Sequence, residues 1–183
     1  MNHAKATSKA KELLKNQGIK AAPVDVRLIV KGLGISLAEA PHSNEDLSGL
    51  IMRDNGKTLI GVNASHIESR KRFTIAHELG HFMLHGNKEV FVDTDKNLFI
   101  RFRKKQTHYS LEEAEANAFA AELLMPEDWL ITDFKALLAT IKQSLGKLES
   151  FHYDFIVRSL AEKFSVSDKA MKIRLDNLSL VSK

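Results

Sequence analysis

The chain has 183 residues, 44% of them hydrophobic, with 27 basic against 23 acidic side chains for a net charge of +4. That length supports one domain with at most a small appendage, and so mild a basic balance does not by itself argue for nucleic-acid binding. The lack of cysteine excludes disulfides, thiolate zinc sites and thiol catalysis; no stretch approaches the roughly 18 apolar residues of a membrane span, so a soluble, cytoplasmic protein without a membrane partner is expected.

Lys5 to Gln17 reads as an exposed amphipathic helix with Ala6, Ala10, Leu13 and Leu14 on its apolar side, ended by Gly18. Pro23-Val-Asp25 opens a second helix that runs through Lys31 and ends at Gly32 or Gly34. Ile35 to Ala38 is a short strand. Ser48 to Arg53 and Lys57 to Val62 are β-prone runs on either side of Asp54-Asn55-Gly56, a strong hairpin signal. Asn63 and Ser65 are candidate caps for the helix that follows.

That helix contains Phe73-Thr-Ile-Ala-His77-Glu78-Leu-Gly-His81-Phe-Met-Leu-His85. A helix advances about 100° per residue, so side chains four apart share a face. His77 and His81 can therefore hold one Zn²⁺ through their imidazoles. Glu78 leans over the metal's open position, where it can take a proton from water. Shuffling this composition gives roughly 0.02 chance HExxH matches. Phe73, Ala76, Leu79, Gly80, Met83 and Leu84 add a broad apolar stripe for burial, and no proline interrupts it.

Further on, Glu89 to Asp93 and Leu98 to Phe102 read as a second hairpin, turning at Thr94 to Asn97. Ser110 caps a helix with Glu113 three residues on, as in a capping box, and that helix ends at Met125 before Pro126. From Glu127 to Leu178 the chain reads as helical. The basic pairs and clusters at Lys71-Arg72 and Arg101 to Lys105 read as solvated surface.

Catalytic zinc usually takes three protein ligands and leaves one position for water. His85 lies eight residues past His77, about 12 Å along a continuous helix, too far to share an ion, and is read as a packed residue near the site. No metzincin pattern follows it. The third ligand is better sought in Leu111-Glu112-Glu113-Ala-Glu115-Ala-Asn117-Ala-Phe119-Ala-Ala-Glu122, whose alanines admit a close helix partner. Glu113 is preferred, with Asn117 on the same face to orient a ligand histidine. Glu115 is its main rival, and Glu112 and Glu122 read as solvent-facing helix formers.

Two blocks, Arg72-Phe-Thr-Ile-Ala-His-Glu-Leu-Gly-His81 and Glu113-Ala-Glu-Ala-Asn-Ala-Phe-Ala-Ala-Glu-Leu-Leu-Met-Pro126, resemble the ImmA/IrrE family of HExxH metallopeptidases. The likeness covers roughly residues 20 to 130 well. It is weaker beyond, where Leu160 to Leu175 is similar to the family's usual tail. The resemblance implies an α+β, zincin-like metallopeptidase core with a small β-sheet and the HExxH helix, followed by a C-terminal helical subdomain. The parts expected are an N-terminal helix over 1–20, the core over 21–130 and the helical, helix-turn-helix-like part over 131–183. It implies His77, His81 and Glu113 as zinc ligands and Glu78 as general base. It also implies a helix-turn-helix (XRE-type) repressor of a mobile element, stress regulon or toxin–antitoxin locus as the protein substrate.

The tail has the apolar spacing of a helix-turn-helix, and Lys169, Lys172 and Arg174 could meet phosphates. Few base-reading side chains and a modest net charge favour instead a helical subdomain that packs on the protease and grips the repressor. His108, Tyr109, His152 and Tyr153 are the candidates for steadying an oxyanion, with nothing in the sequence to choose among them. Two other functions compete with proteolysis: a zinc-binding regulatory module that antagonises a repressor or contacts DNA without cleavage, and a toxin–antitoxin component that acts by binding. The retained Glu78 favours proteolysis, because a purely structural metal needs no adjacent base.

Overall fold

Helix α1, His3–Asn16, lays Ala6, Ala10, Leu13 and Leu14 against a later helix rather than along an exposed surface. The computed structural model containing it describes residues 3–42, 47–85, 90–94, 111–145 and 150–181. Ala6 and Ala10 are fully buried, which small side chains at helical spacing permit only where another helix comes close. The expectation of an exposed helix therefore holds for its polar face alone.

Asp25 caps α2, Val26–Gly32, by accepting from the N–H groups of Arg27 and Leu28, as expected of an aspartate at a helix start. Strand β1, Ser36–Ala40, follows. Strands β2, Leu47–Asp54, and β3, Lys57–Asn63, form the predicted hairpin. Asn55 and Gly56 turn it with φ of 47° and 76°, the left-handed pair required by a tight two-residue turn.

The sheet has the order β1-β3-β2-β4, where β4 is Val90–Thr94. β1 runs parallel to β3, while β4 runs antiparallel to β2. The first strand of the second predicted hairpin is thus present, but its hydrogen-bonded partner is β2. Leu98 to Phe102, the turn residues 95–97, the Arg101 to Lys105 cluster and the Ser110 cap lie outside the described residues. Alternation along β2 and β3 places Gly49, Ile51, Ile60 and Val62 on one buried face, and α3, Glu68–Leu84, packs against those strands.

Neither Asn63 nor Ser65 caps α3. The residue at the cap is Ile67, which makes no side-chain cap bond. Asn63 is engaged elsewhere: its amide donates to Leu47 O, and its Oδ1 accepts from the N–H groups of His42 and Ser65. It ties the end of β3 to the start of β2 instead of starting the helix.

The other face of α3 meets α4, Leu111–Leu124, which α1 covers from behind. Helices α5, Glu127–Leu145, α6, Ser150–Phe164, and α7, Asp168–Asn177, complete the chain. Ser167 Oγ caps α7 by accepting from Ala170 N. Leu160, Ala161, Phe164, Met171 and Leu175 are buried in the same core as α3 and α4.

Polar contacts fasten this helical end to the rest, and three side chains expected at the surface are buried to make them. Arg72 of α3 donates to Ser165 O, in the α6–α7 turn, and to Val24 O. Arg174 of α7 pairs with Glu122 of α4 and donates to Met125 O at 3.2 Å. Arg72 and Arg174 are each 8% exposed and Glu122 0%. Arg174 is therefore a structural clamp, unavailable to phosphates or a partner. Arg72 is likewise not solvated, whereas Lys71 beside it pairs with Glu39 and Glu68 at the surface. Among the described residues no helix is long and apolar enough to cross a membrane.

Candidate metal centre

The site forms where α3 and α4 approach closely enough for side chains on one to reach the other. Gly80 makes this approach feasible: a Cβ there would lie 3.0 Å from both Cα and O of Ala116. On the sheet side, Gly49 plays the same part. A Cβ at Gly49 would collide with the Thr74 methyl and stand 2.9 Å from Gly61 O and 3.5 Å from Glu78 Oε1. α3 is consequently wedged between sheet and helix, and from Thr74 to His81 every residue is buried.

In that wedge Nε2 of His77 and Nε2 of His81 face each other at 3.0 Å. Oε2 of Glu113 lies 3.3 Å from the first and Oε1 lies 3.2 Å from the second. A tetrahedral ion with ligand bonds near 2.0–2.1 Å has ligand–ligand edges of about 3.3 Å. The donors are thus spaced as three corners of such a site, and all of them lie within 4.8 Å of one another. Two imidazoles and a carboxylate are also the donor chemistry that zinc takes in open sites.

Asn117 fixes the tautomer of His77. Its Nδ2 donates to Glu113 O at 2.8 Å, so its Oδ1 is the acceptor facing His77 Nδ1 at 3.2 Å. Nδ1 then carries the proton, and the lone pair of Nε2 points into the cluster. Burial lowers the pKa of His81, with Glu113 opposing. Burial would raise the Glu113 carboxyl, but the His77 and His81 rings outweigh it and hold it well below the ordinary carboxylate range. Neutral imidazole and ionised carboxylate are the forms a metal requires.

Glu78 is fully buried on the sheet side of α3, with its carboxylate above Gly49. A buried carboxylate is costly to maintain, and its neighbour in sequence is one of the clustered histidines. Glu115 is not part of the cluster. Its Oε2 lies 3.7 Å from Nε2 of His85, and that nitrogen is 3.2 Å from Glu112 O. His85 is therefore packed beside the site and turned away from the other histidines' shared focus. Glu112 is half-buried rather than solvent-facing.

Tyr153 lies against Lys172, whose Nζ is 5.8 Å from the ring centroid, and is not gathered into the cluster. His108 and Tyr109 fall outside the described residues, as does the side chain of His152. Sequence patterns alone place Gly80 in the apolar stripe but do not show the close approach at Gly80 or Gly49, because a glycine's role there depends on what a Cβ would meet. Arg53 was also missed. It donates to Phe82 O at 3.0 Å and stacks 4.9 Å above the Phe82 ring, tying β2 to the end of α3. Cation–aromatic pairs between a strand and a helix leave no local sequence signal.

Comparison with known proteins agrees with this geometry. The "Uncharacterized immunity region protein 2" of Bacillus phage phi105 is 31% identical over 94 residues, 50% of this chain and 52% of that protein. The chain thus spans about half the length of the relative it matches. The sequence model of the Peptidase_M78 family, described as the IrrE N-terminal-like domain, matches residues 30–176 and so extends well into the helical end. A match over most of the chain, with the clustered histidines and glutamate inside it, shows that this protein belongs to the Peptidase_M78 family of IrrE N-terminal-like domains.

Proposed function

We propose that the protein is a zinc-dependent endopeptidase that cleaves a helix-turn-helix transcriptional repressor. The observation that carries this reading is the convergence of His77, His81 and Glu113 at tetrahedral spacing beside a buried Glu78, in a chain of a peptidase family. His77, His81 and Glu113 would hold the ion, with Asn117 orienting His77. Zinc bound there would supply Lewis acidity, polarising the scissile carbonyl and making water acidic enough to be deprotonated near neutrality.

Glu78 does the proton work. Its carboxylate accepts a proton from the attacking water and delivers it to the leaving amine nitrogen, so the products are a carboxylate and an amine. The burial of Glu78 keeps bulk water from competing for that proton. The likeness to a protein named for a phage immunity region supports a repressor as substrate. The described helices α6 and α7 would offer a surface for gripping that substrate, with exposed Lys172 on α7 as one of its charges.

The test is co-expression with the helix-turn-helix protein encoded nearest to it, read by intact-protein mass. Wild type yields two complementary repressor fragments. Glu78→Gln keeps zinc and fold and leaves the repressor whole. Relief of repression by the Glu78→Gln variant, with no fragments, would establish a binding module instead.

A further inference from the structure

The cluster needs Glu113 to be held to a fraction of an ångström, yet Glu113 lies in the first turn of α4, where a helix is least constrained by its own hydrogen bonds. Two side-chain contacts compensate. The peptide carbonyls that bracket the Cα of Glu113 are those of Glu112 and Glu113 itself. The second accepts from Asn117 Nδ2 at 2.8 Å, and Asn117 is in turn held by His77. The first lies 3.2 Å from Nε2 of His85.

His85 is well placed to transmit position. Its backbone N–H donates to His81 O at 3.0 Å, closing the end of α3. His85 therefore bridges the His81 carbonyl, through its backbone N–H, and the peptide carbonyl that precedes Glu113, through its ring. Glu115 Oε2, at 3.7 Å from the same nitrogen, is beyond hydrogen-bond reach, whereas the Glu112 carbonyl, at 3.2 Å, is within it.

We propose that His85 is a positioning residue for the metal centre: its Nε2–H donates to Glu112 O and pins the first turn of α4 to the end of α3, so that the Glu113 carboxylate meets His77 and His81. This rests on Glu113 serving as a ligand. Outer hydrogen bonds of this kind typically alter metal affinity 10–100-fold when removed.

Glutamine and asparagine separate positioning from packing. The amide nitrogen of glutamine can take the place of Nε2, whereas that of asparagine stops near Nδ1 and cannot reach Glu112 O. Zinc affinity of the full chain is measured by competition with a fluorescent chelator, alongside thermal unfolding of the metal-free protein. His85→Gln should stay within about threefold of wild type, and His85→Asn should bind about tenfold or more weakly. Equal zinc affinity in wild type and His85→Asn overturns the proposal. So does a Gln variant as weak as the Asn variant, with both lowering the metal-free Tm, since that pattern marks His85 as packing alone. A wild-type chain that binds no zinc overturns the metal reading and this proposal with it, which distinguishes the two failures.

Discussion

Gly80 of α3 rests directly on Ala116 of α4, close enough that a methyl at Gly80 would stand 3.0 Å from the Ala116 backbone. Backbone cannot yield as a flexible side chain can, so any Cβ there pushes the two helices apart. Gly80→Ala should destabilise the metal-free protein by about 1–3 kcal/mol, the usual cost of overpacking. It should also weaken zinc binding, because the same displacement separates His77 and His81 from Glu113. Thermal unfolding and chelator competition check the two effects, and wild-type values in both would show that the interface accommodates a methyl.

Arg174 and Glu122 form a buried pair between α7 and α4, and Glu122 also accepts from Glu127 N at 3.2 Å. Arg174→Ala leaves Glu122 charged and buried and should cost about 3–5 kcal/mol. Replacing both partners by apolar residues, as in Glu122→Leu with Arg174→Met, should recover much of that loss. Urea unfolding of wild type and the two variants decides; an Arg174→Ala variant as stable as wild type would mean that Lys11, 3.8 Å from Glu122, suffices to compensate the charge.

What could be read from the chain and what could not divide along sequence distance. The Asp25 cap, the Asn55-Gly56 turn and the histidines of α3 are local signals, each set by a few neighbouring residues, and the structure has all three. The cluster of His77, His81 and Glu113 was legible because helical spacing and an alanine-rich partner helix are themselves local patterns. Arg72 and Arg174 looked like surface charges because their partners, Ser165 and Glu122, are 93 and 52 residues away. Nothing near either arginine announces burial. Asn63 misled for a related reason: its side chain serves the β2–β3 pair, with Leu47 O 16 residues back, rather than the helix ahead. The pairing of β4 with β2 likewise depends on a contact across the intervening α3.

The acid limb of stability should carry the signature of Arg27, which binds Glu39 at 2.7 Å and Glu68 at 2.5 Å. Hydrogen bonding to Arg27 is the foremost cause that lowers both carboxyls from 4.5 in the folded state. Groups with a depressed folded pKa stabilise the protein above the unfolded value and lose that contribution as pH falls below 4.5. The pair is partly solvent-exposed, so the effect is modest, about 1 kcal/mol after screening. Arg27→Ala should therefore be less stable than wild type at pH 7 and nearly equal to it at strongly acid pH. A difference between the two that is constant with pH would remove the carboxyls from the explanation.

Because Arg174 is a clamp, charge reversal on the tail belongs at Lys169 and Lys172. Lys172 is exposed and pairs with Asp154 at 2.8 Å. Lys169→Glu with Lys172→Glu should slow repressor cleavage by about tenfold, equivalent to about 1.4 kcal/mol, while zinc content and Tm stay near wild type. Undiminished cleavage by the double variant would place the repressor on another surface.

Metal stoichiometry tests the central claim most directly. Zinc per chain, measured by inductively coupled plasma mass spectrometry on purified full-length protein, should be one in wild type, in Glu78→Gln and in Glu115→Ala. It should fall to a small fraction in His81→Ala and in Glu113→Ala. Full zinc occupancy in Glu113→Ala, with loss in Glu115→Ala, would contradict the assignment of the third ligand and of the geometry built on it.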